Sequence, residues 1–136
     1  MRINWVGVIV SAAIIVALRY LWYAHFGGAD WAHVLGAAVG QVRANDRQAL
    51  YELANALVLC AALGWVIGRL RDRALSTGIG VGLLACVGFA MTTASDGFIH
   101  GGPLRNALVD GGYLLAAYVI AGAILGALAP KRSVST

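Results

Sequence analysis

The chain has 136 residues, of which 60% are hydrophobic and 12% charged, with a formal net charge of +4. A soluble domain carries about a quarter charged residues, so this composition excludes a water-solvated globule and points to a membrane protein. The basic residues are Arg apart from Lys131, and they stand at the ends of apolar runs rather than in a patch interleaved with aromatics. That placement excludes nucleic acid as a partner and favours lipid headgroups.

Four apolar runs lie near the spanning length of about 20 residues. They are continuously apolar and do not alternate, which argues against a transmembrane barrel. The expected fold class is all-α: a polytopic membrane protein with four transmembrane helices and a short interfacial amphipathic helix between the first and second, forming one domain over residues 1–136. The first span is expected over 5–23, with Trp5 at one end and Tyr20, Trp22 and Tyr23 as an aromatic belt at the other. No small-residue cleavage site follows it, so it reads as a retained span rather than a signal peptide. Arg19 lies one turn inside the belt, where its long stem either snorkels outward or turns inward to a carboxylate.

Asp30 is a plausible N-cap for a segment over 31–42. Trp31, Val34, Leu35, Ala38, Val39 and Val42 recur there at helical spacing, and His33, Gln41 and Arg43 fall on other faces. The segment is too short to span, which places it in the interface plane. The second span is expected over 49–70 and the third over 75–93. A glycine-rich loop from Ser95 then leads to Pro103, in a helix-starting position. The fourth span is expected over 104–129.

Two spans carry the same polar arrangement at one end. Gln48, Glu52 and Asn55 in the second, and Asn106, Asp110 and Tyr113 in the fourth, are spaced i, i+4, i+7 and so share a helical face. A carboxylate at the centre of a spanning helix costs roughly 2.5–3.5 kcal/mol on insertion scales. Antiparallel packing brings Arg19, Glu52, Asn55, Asn106, Asp110 and Tyr113 to one level. Arg19 and Arg105 are expected to neutralise Glu52 and Asp110 in part, with the amides and Tyr113 adding hydrogen bonds. His25, His33, Asp96, His100 and Arg105 form the rim above. This layer is either a polar clamp fixing helix register or a cavity for a small polar ligand, cation or proton.

G-x-x-x-G pairs occur at Gly36/Gly40, Gly64/Gly68, Gly78/Gly82 and Gly122/Gly126. Such pairs let helices approach closely in lipid. Gly64, Gly68, Gly122 and Gly126 are the expected contacts, within the bundle or between protomers. Cys60 and Cys86 lie mid-run without metal-ligand neighbours and read as small packing residues. No H-E-x-x-H, G-x-S-x-G or phosphate-binding glycine loop occurs. The chain therefore reads as non-enzymatic, without a metal or cofactor, in preference to an enzyme on lipid or a small metabolite with Asp110 or Glu52 as general base. Orientation follows the Lys/Arg bias: Arg2, Arg69, Arg71, Arg73, Lys131 and Arg132 on one side outnumber Arg43, Arg47 and Arg105 on the other. Both termini are then expected in the cytoplasm.

Asn4-Trp5 opening the first span, Leu21-Trp22-Tyr23 ending it, Phe26-Gly27 and Trp31 after it, and Asn106, Gly112-Tyr113 and Gly122 to Gly126 in the last span resemble the DUF1761 family of small bacterial membrane proteins. The family pattern often has a polar residue after the Tyr of the last span, where Leu114 stands here. The resemblance implies four spans and a bacterial inner membrane, and it implies no reaction. The functional expectation is a protein acting through helix packing, as a homo-oligomer or an accessory subunit of a larger membrane complex, such as an energy-converting one, with lipids and other membrane chains as partners. The alternative is outward-facing binding or transport through the polar layer around Glu52 and Asp110.

Overall fold

The structure is a computed structural model that describes residues 3–27, 46–70 and 74–129. The expected interfacial helix over 31–42, and His33 with it, lies outside the described residues. In hydrocarbon every backbone N–H and C=O must be satisfied within the protein, so uninterrupted apolar runs become helices. The first helix, α1 (Trp5–Trp22), continues into a π turn, Tyr23–Gly27. Next comes α2 (Asp46–Arg69). The third span is built from α3 (Leu75–Ala85), a π turn (Cys86–Ala90) and α4 (Met91–Ile99). The last helix is α5 (Leu104–Ala127).

Among the described residues, four stretches are long and apolar enough to cross a bilayer: Trp5–Gly27, Ala49–Arg69, Leu75–Ile99 and Leu104–Ala127. The chain is an all-α, multi-pass membrane protein. Its outer surface carries Leu21, Val58, Leu84, Phe89 and Leu108, all exposed. In water such a surface favours aggregation, whereas acyl chains solvate it without penalty.

Consecutive spans run antiparallel, and α5 is the hub that touches all the other helices. The most extensive contact is α3 on α5, while α1 packs on both α2 and α5. α2 meets α3 but, among the described residues, has no contact with α4, so the bundle opens on that side toward one end. Val8, Ala12 and Ile15 of α1, Ala56, Cys60, Leu63 and Ile67 of α2, and Ala117, Ala121 and Leu125 of α5 form the core. Asn4 ties the opposite end together. Its Oδ1 accepts the Gly7 N–H at 3.3 Å as an N-cap, and its Nδ2 donates to the Leu128 carbonyl at 2.6 Å. One amide thus serves the orphan backbone groups of two helix ends.

The third span runs further than the expected 75–93. The segment from Ser95 to Ile99 is helical, and only His100 to Pro103 turns. The stop is set by backbone geometry at Gly101, which has φ +91°. Gly102 N–H donates to Gly97 C=O at 2.8 Å and Gly101 N–H to Phe98 C=O at 3.0 Å. This is a Schellman closure, which calls for a left-handed residue that glycine adopts without strain. Ser95 and Gly97 resemble loop residues by composition, but the Ser95 hydroxyl donates back to the Thr92 carbonyl at 3.0 Å and the helix passes through both.

The inner face of this span is set by Gly78, Gly82, Cys86, Ala90 and Ala94, buried at every fourth position. On an α-helix each four-residue step drifts about 40° around the axis. The wider π turn at Cys86–Ala90 takes up part of that drift and keeps the small residues against α5.

Candidate functional site

The polar residues of α1, α2 and α5 meet near one end of the bundle. Arg19 turns inward, and its Nε lies 3.6 Å from Glu52 Oε1. The pair is largely withdrawn from solvent, with Arg19 32% and Glu52 12% exposed. The Arg19 guanidinium also stands 5.7 Å from the Tyr23 ring centroid and 6.0 Å from that of Tyr113, placing the cation between two aromatic faces.

Asp110 accepts a hydrogen bond from the Tyr23 hydroxyl at 2.6 Å, the length of a charge-assisted O–H···O⁻ contact. Tyr113 donates to the Ile15 carbonyl at 3.4 Å. Tyr23 and Tyr113 pack with centroids 5.5 Å apart. Glu52, Arg19, Tyr23, Tyr113 and Asp110 therefore form one connected network across three helices.

Other residues of the expected layer are placed differently. Arg105, expected to neutralise Asp110 in part, donates from its Nη2 to the Phe26 carbonyl at 3.0 Å, at the π turn that ends the first span. Asn106 is half-buried, and its Oδ1 has no hydrogen-bond partner among the described residues. Asn55 is exposed and faces a groove. His25 is exposed and packs edge-on to Phe26, while His100 pairs with Asp96 on the surface at 3.5 Å. Among the described residues, no group of three or more His, Cys, Asp or Glu side chains is arranged to hold a metal ion.

Sequence reasoning missed the inward turn of the belt at the end of the first span. Tyr23 is only 5% exposed. Trp22 donates its indole N–H to the Val109 carbonyl at 3.0 Å, and its ring lies over Gly112, where a Cβ would come within 2.8 Å of Cζ2. Tyr and Trp at a span end match an interfacial belt by composition. The available signal was Gly112, which leaves room for the Trp22 ring.

The groove lies between α2 and α5 and is floored by α1, with a volume of about 600 Å³. Arg19, Glu52, Asn55 and Tyr113 line one end, and Val16, Val58, Leu59, Leu114, Ala117 and Tyr118 are among the residues beyond it. Such a volume is typical of small-molecule sites. The arrangement offers an ion pair, an amide and phenolic hydroxyls at the polar end, and an apolar trough beyond it.

A family model described as "Protein of unknown function (DUF1761)" matches residues 6–126. The chain belongs to the DUF1761 family. No curated protein and no solved structure matches it. The DUF1761 match extends through the second and third spans as well as the first and last, so it takes in every residue of the groove. The description assigns DUF1761 members no activity, and a functional reading of this one rests on its geometry.

Proposed function

We propose that this DUF1761 protein is a membrane-embedded binding protein that holds a small polar-headed ligand in the groove between α2 and α5. The observation that carries the reading is the inward Arg19–Glu52 pair at the end of a cavity of about 600 Å³. The groove sets a hydrogen-bonding end beside an apolar trough, which supports a ligand and which a clamp fixing helix register does not require. In this reading the protein sits in a bacterial inner membrane, and the Lys/Arg bias supports an orientation with both termini in the cytoplasm and the polar layer in the outer leaflet. Neither an oligomer nor a larger complex is required by the exposed apolar surface, because lipid satisfies it.

The test is purification from native membranes into lipid nanodiscs, followed by mass spectrometry of the small molecules retained. Leu114→Trp fills the trough with an indole and is expected to release the retained molecule. Leu84→Trp, on the outer surface of α3, is expected to keep it. Identical small-molecule content in all three proteins overturns the proposal. A stoichiometric partner chain, with no small molecule, would favour the accessory-subunit role instead.

A further inference from the structure

We infer that the groove takes a single-chain amphiphile with an uncharged, hydrogen-bonding head, entering sideways from the bilayer; the inference rests on the binding role proposed above. Its first basis is a polarity gradient repeated on three helices. On α1 the lining passes from Arg19 to Val16 and Ile15, on α2 from Glu52 and Asn55 to Val58 and Leu59, and on α5 from Tyr113 to Leu114 and Ala117, with Tyr118 beyond them. The ionic and amide side chains all stand toward the helix ends, and the deeper lining is apolar apart from the Tyr118 hydroxyl. Glu52 lies about 5 Å below the start of the second span at Ala49, and Leu59 about 15 Å below it, at roughly 1.5 Å per residue. The groove therefore covers one leaflet of a hydrocarbon core about 30 Å thick. Its polarity profile is that of a lipid lying in that leaflet, head at the interface and chain toward the midplane.

The second basis is the route in. Val58 and Tyr51, both 70% exposed, stand at the groove's outer wall. α2 makes no contact with α4 among the described residues. The flank is thus open toward acyl chains along its length, and an amphiphile enters without lifting its chain into water.

The third basis is charge. Among the described residues, the ionic groups lining the groove are Arg19 and Glu52, of opposite charge and paired at 3.6 Å. Asp110 is outside the lining and is engaged by Tyr23. A charged head would have to compete with one member of the pair for the other, leaving a like charge close by in a medium of low dielectric. An alcohol, amide or quinone carbonyl instead finds donors and acceptors in Asn55, Tyr113 and the outer edge of the pair, with no charge left unbalanced.

The test uses three chain-matched photoactivatable probes carrying a diazirine in a hexadecyl chain: the alcohol, the carboxylate and the trimethylammonium. Each is added to the full-length protein in nanodiscs, and site-specific labelling is read by mass spectrometry. The alcohol is expected to label the groove at least about tenfold more strongly than either charged probe, at peptides containing Leu59 or Leu114. Glu52→Gln is expected to shift the preference to the carboxylate and Arg19→Gln to the trimethylammonium. The double variant, again without net charge, should return it to the alcohol. Ratios among probes cancel a general loss of folded protein. A wild-type preference for either charged probe, or single variants that leave the ratios unchanged, overturns the uncharged-head assignment while the binding role stands. If no probe labels the groove, and Leu114→Trp also leaves the natively retained molecules unchanged, both fall.

Discussion

Asp110 was prominent in the sequence because a carboxylate in a spanning helix demands an explanation. The structure answers with the Tyr23 hydroxyl at 2.6 Å rather than with a cation. A buried acceptor stripped of its donor loses about 1–3 kcal/mol. Tyr23→Phe keeps the ring packed on Tyr113 and removes only the donor, so it is expected to lower unfolding stability by that amount in a denaturant titration in mixed micelles. Wild-type stability would show that Asp110 does not depend on Tyr23. Ser11 presents the opposite case. It is fully buried, and its hydroxyl has no hydrogen-bond partner among the described residues. Ser11→Ala removes a desolvated polar group with almost no change in volume, and it is expected to be neutral or stabilising by up to about 1 kcal/mol in the same titration. A loss of stability there would reveal a bond the hydroxyl makes. Neither residue's environment follows from its neighbours in the chain. Tyr23 and Asp110 are 87 positions apart, and periodicity within one helix says nothing about what the next presents to it.

At the scale of elements, the closest approach is between α3 and α5, and glycines make it possible. A Cβ on Gly78 would run into the Gly122 carbonyl, one on Gly82 into the Tyr118 carbonyl, and one on Gly126 would sit 2.9 Å from Gly78 Cα. Backbone cannot move aside as a flexible side-chain end can. Gly64 has ordinary contacts with Leu125 and Val8, and Gly68 has nothing within 4 Å of a would-be Cβ. The glycine pair that faces Gly122 and Gly126 is therefore Gly78 and Gly82 of α3. Gly82→Ala is expected to cost about 2 kcal/mol or more through separation of the two helices. Gly68→Ala is expected to be neutral or to gain up to about 1 kcal/mol from helix propensity. Parallel unfolding measurements on the two variants separate them, and equal effects would remove the α3–α5 contact as the cause. All four G-x-x-x-G pairs look alike as sequence. Only the pairing of faces between helices distinguishes a contact from a glycine at the lipid surface.

For the whole molecule, the spans place Leu70 at one end of the bundle and His100 at the other, both exposed. In a background with the buried Cys60 and Cys86 replaced by Ala, Leu70→Cys and His100→Cys are expected to react with a membrane-impermeant maleimide from opposite sides. His100→Cys should be labelled in intact cells, and Leu70→Cys only after lysis. The reverse pattern would place the groove in the inner leaflet and invert the proposed orientation, without altering the fold.

Composition and the lengths of the apolar runs were enough to establish four spanning helices. In lipid an unpaired backbone group is so costly that a long apolar run has no other conformation. The places of Glu52 and Asp110 early in the second and fourth spans likewise put them near the same end, because each crossing of the membrane reverses the direction of the chain. What belonged to tertiary structure was everything that depends on how one helix is rotated against another: the inward turn of Arg19 and Tyr23, the meeting of Gly78 with Gly122, the gap between α2 and α4, and the groove itself. Lipid is as apolar as leucine, so hydrophobicity alone does not rotate a spanning helix to one preferred face. Close backbone contact and buried hydrogen bonds do, and these exist only once the helices are packed.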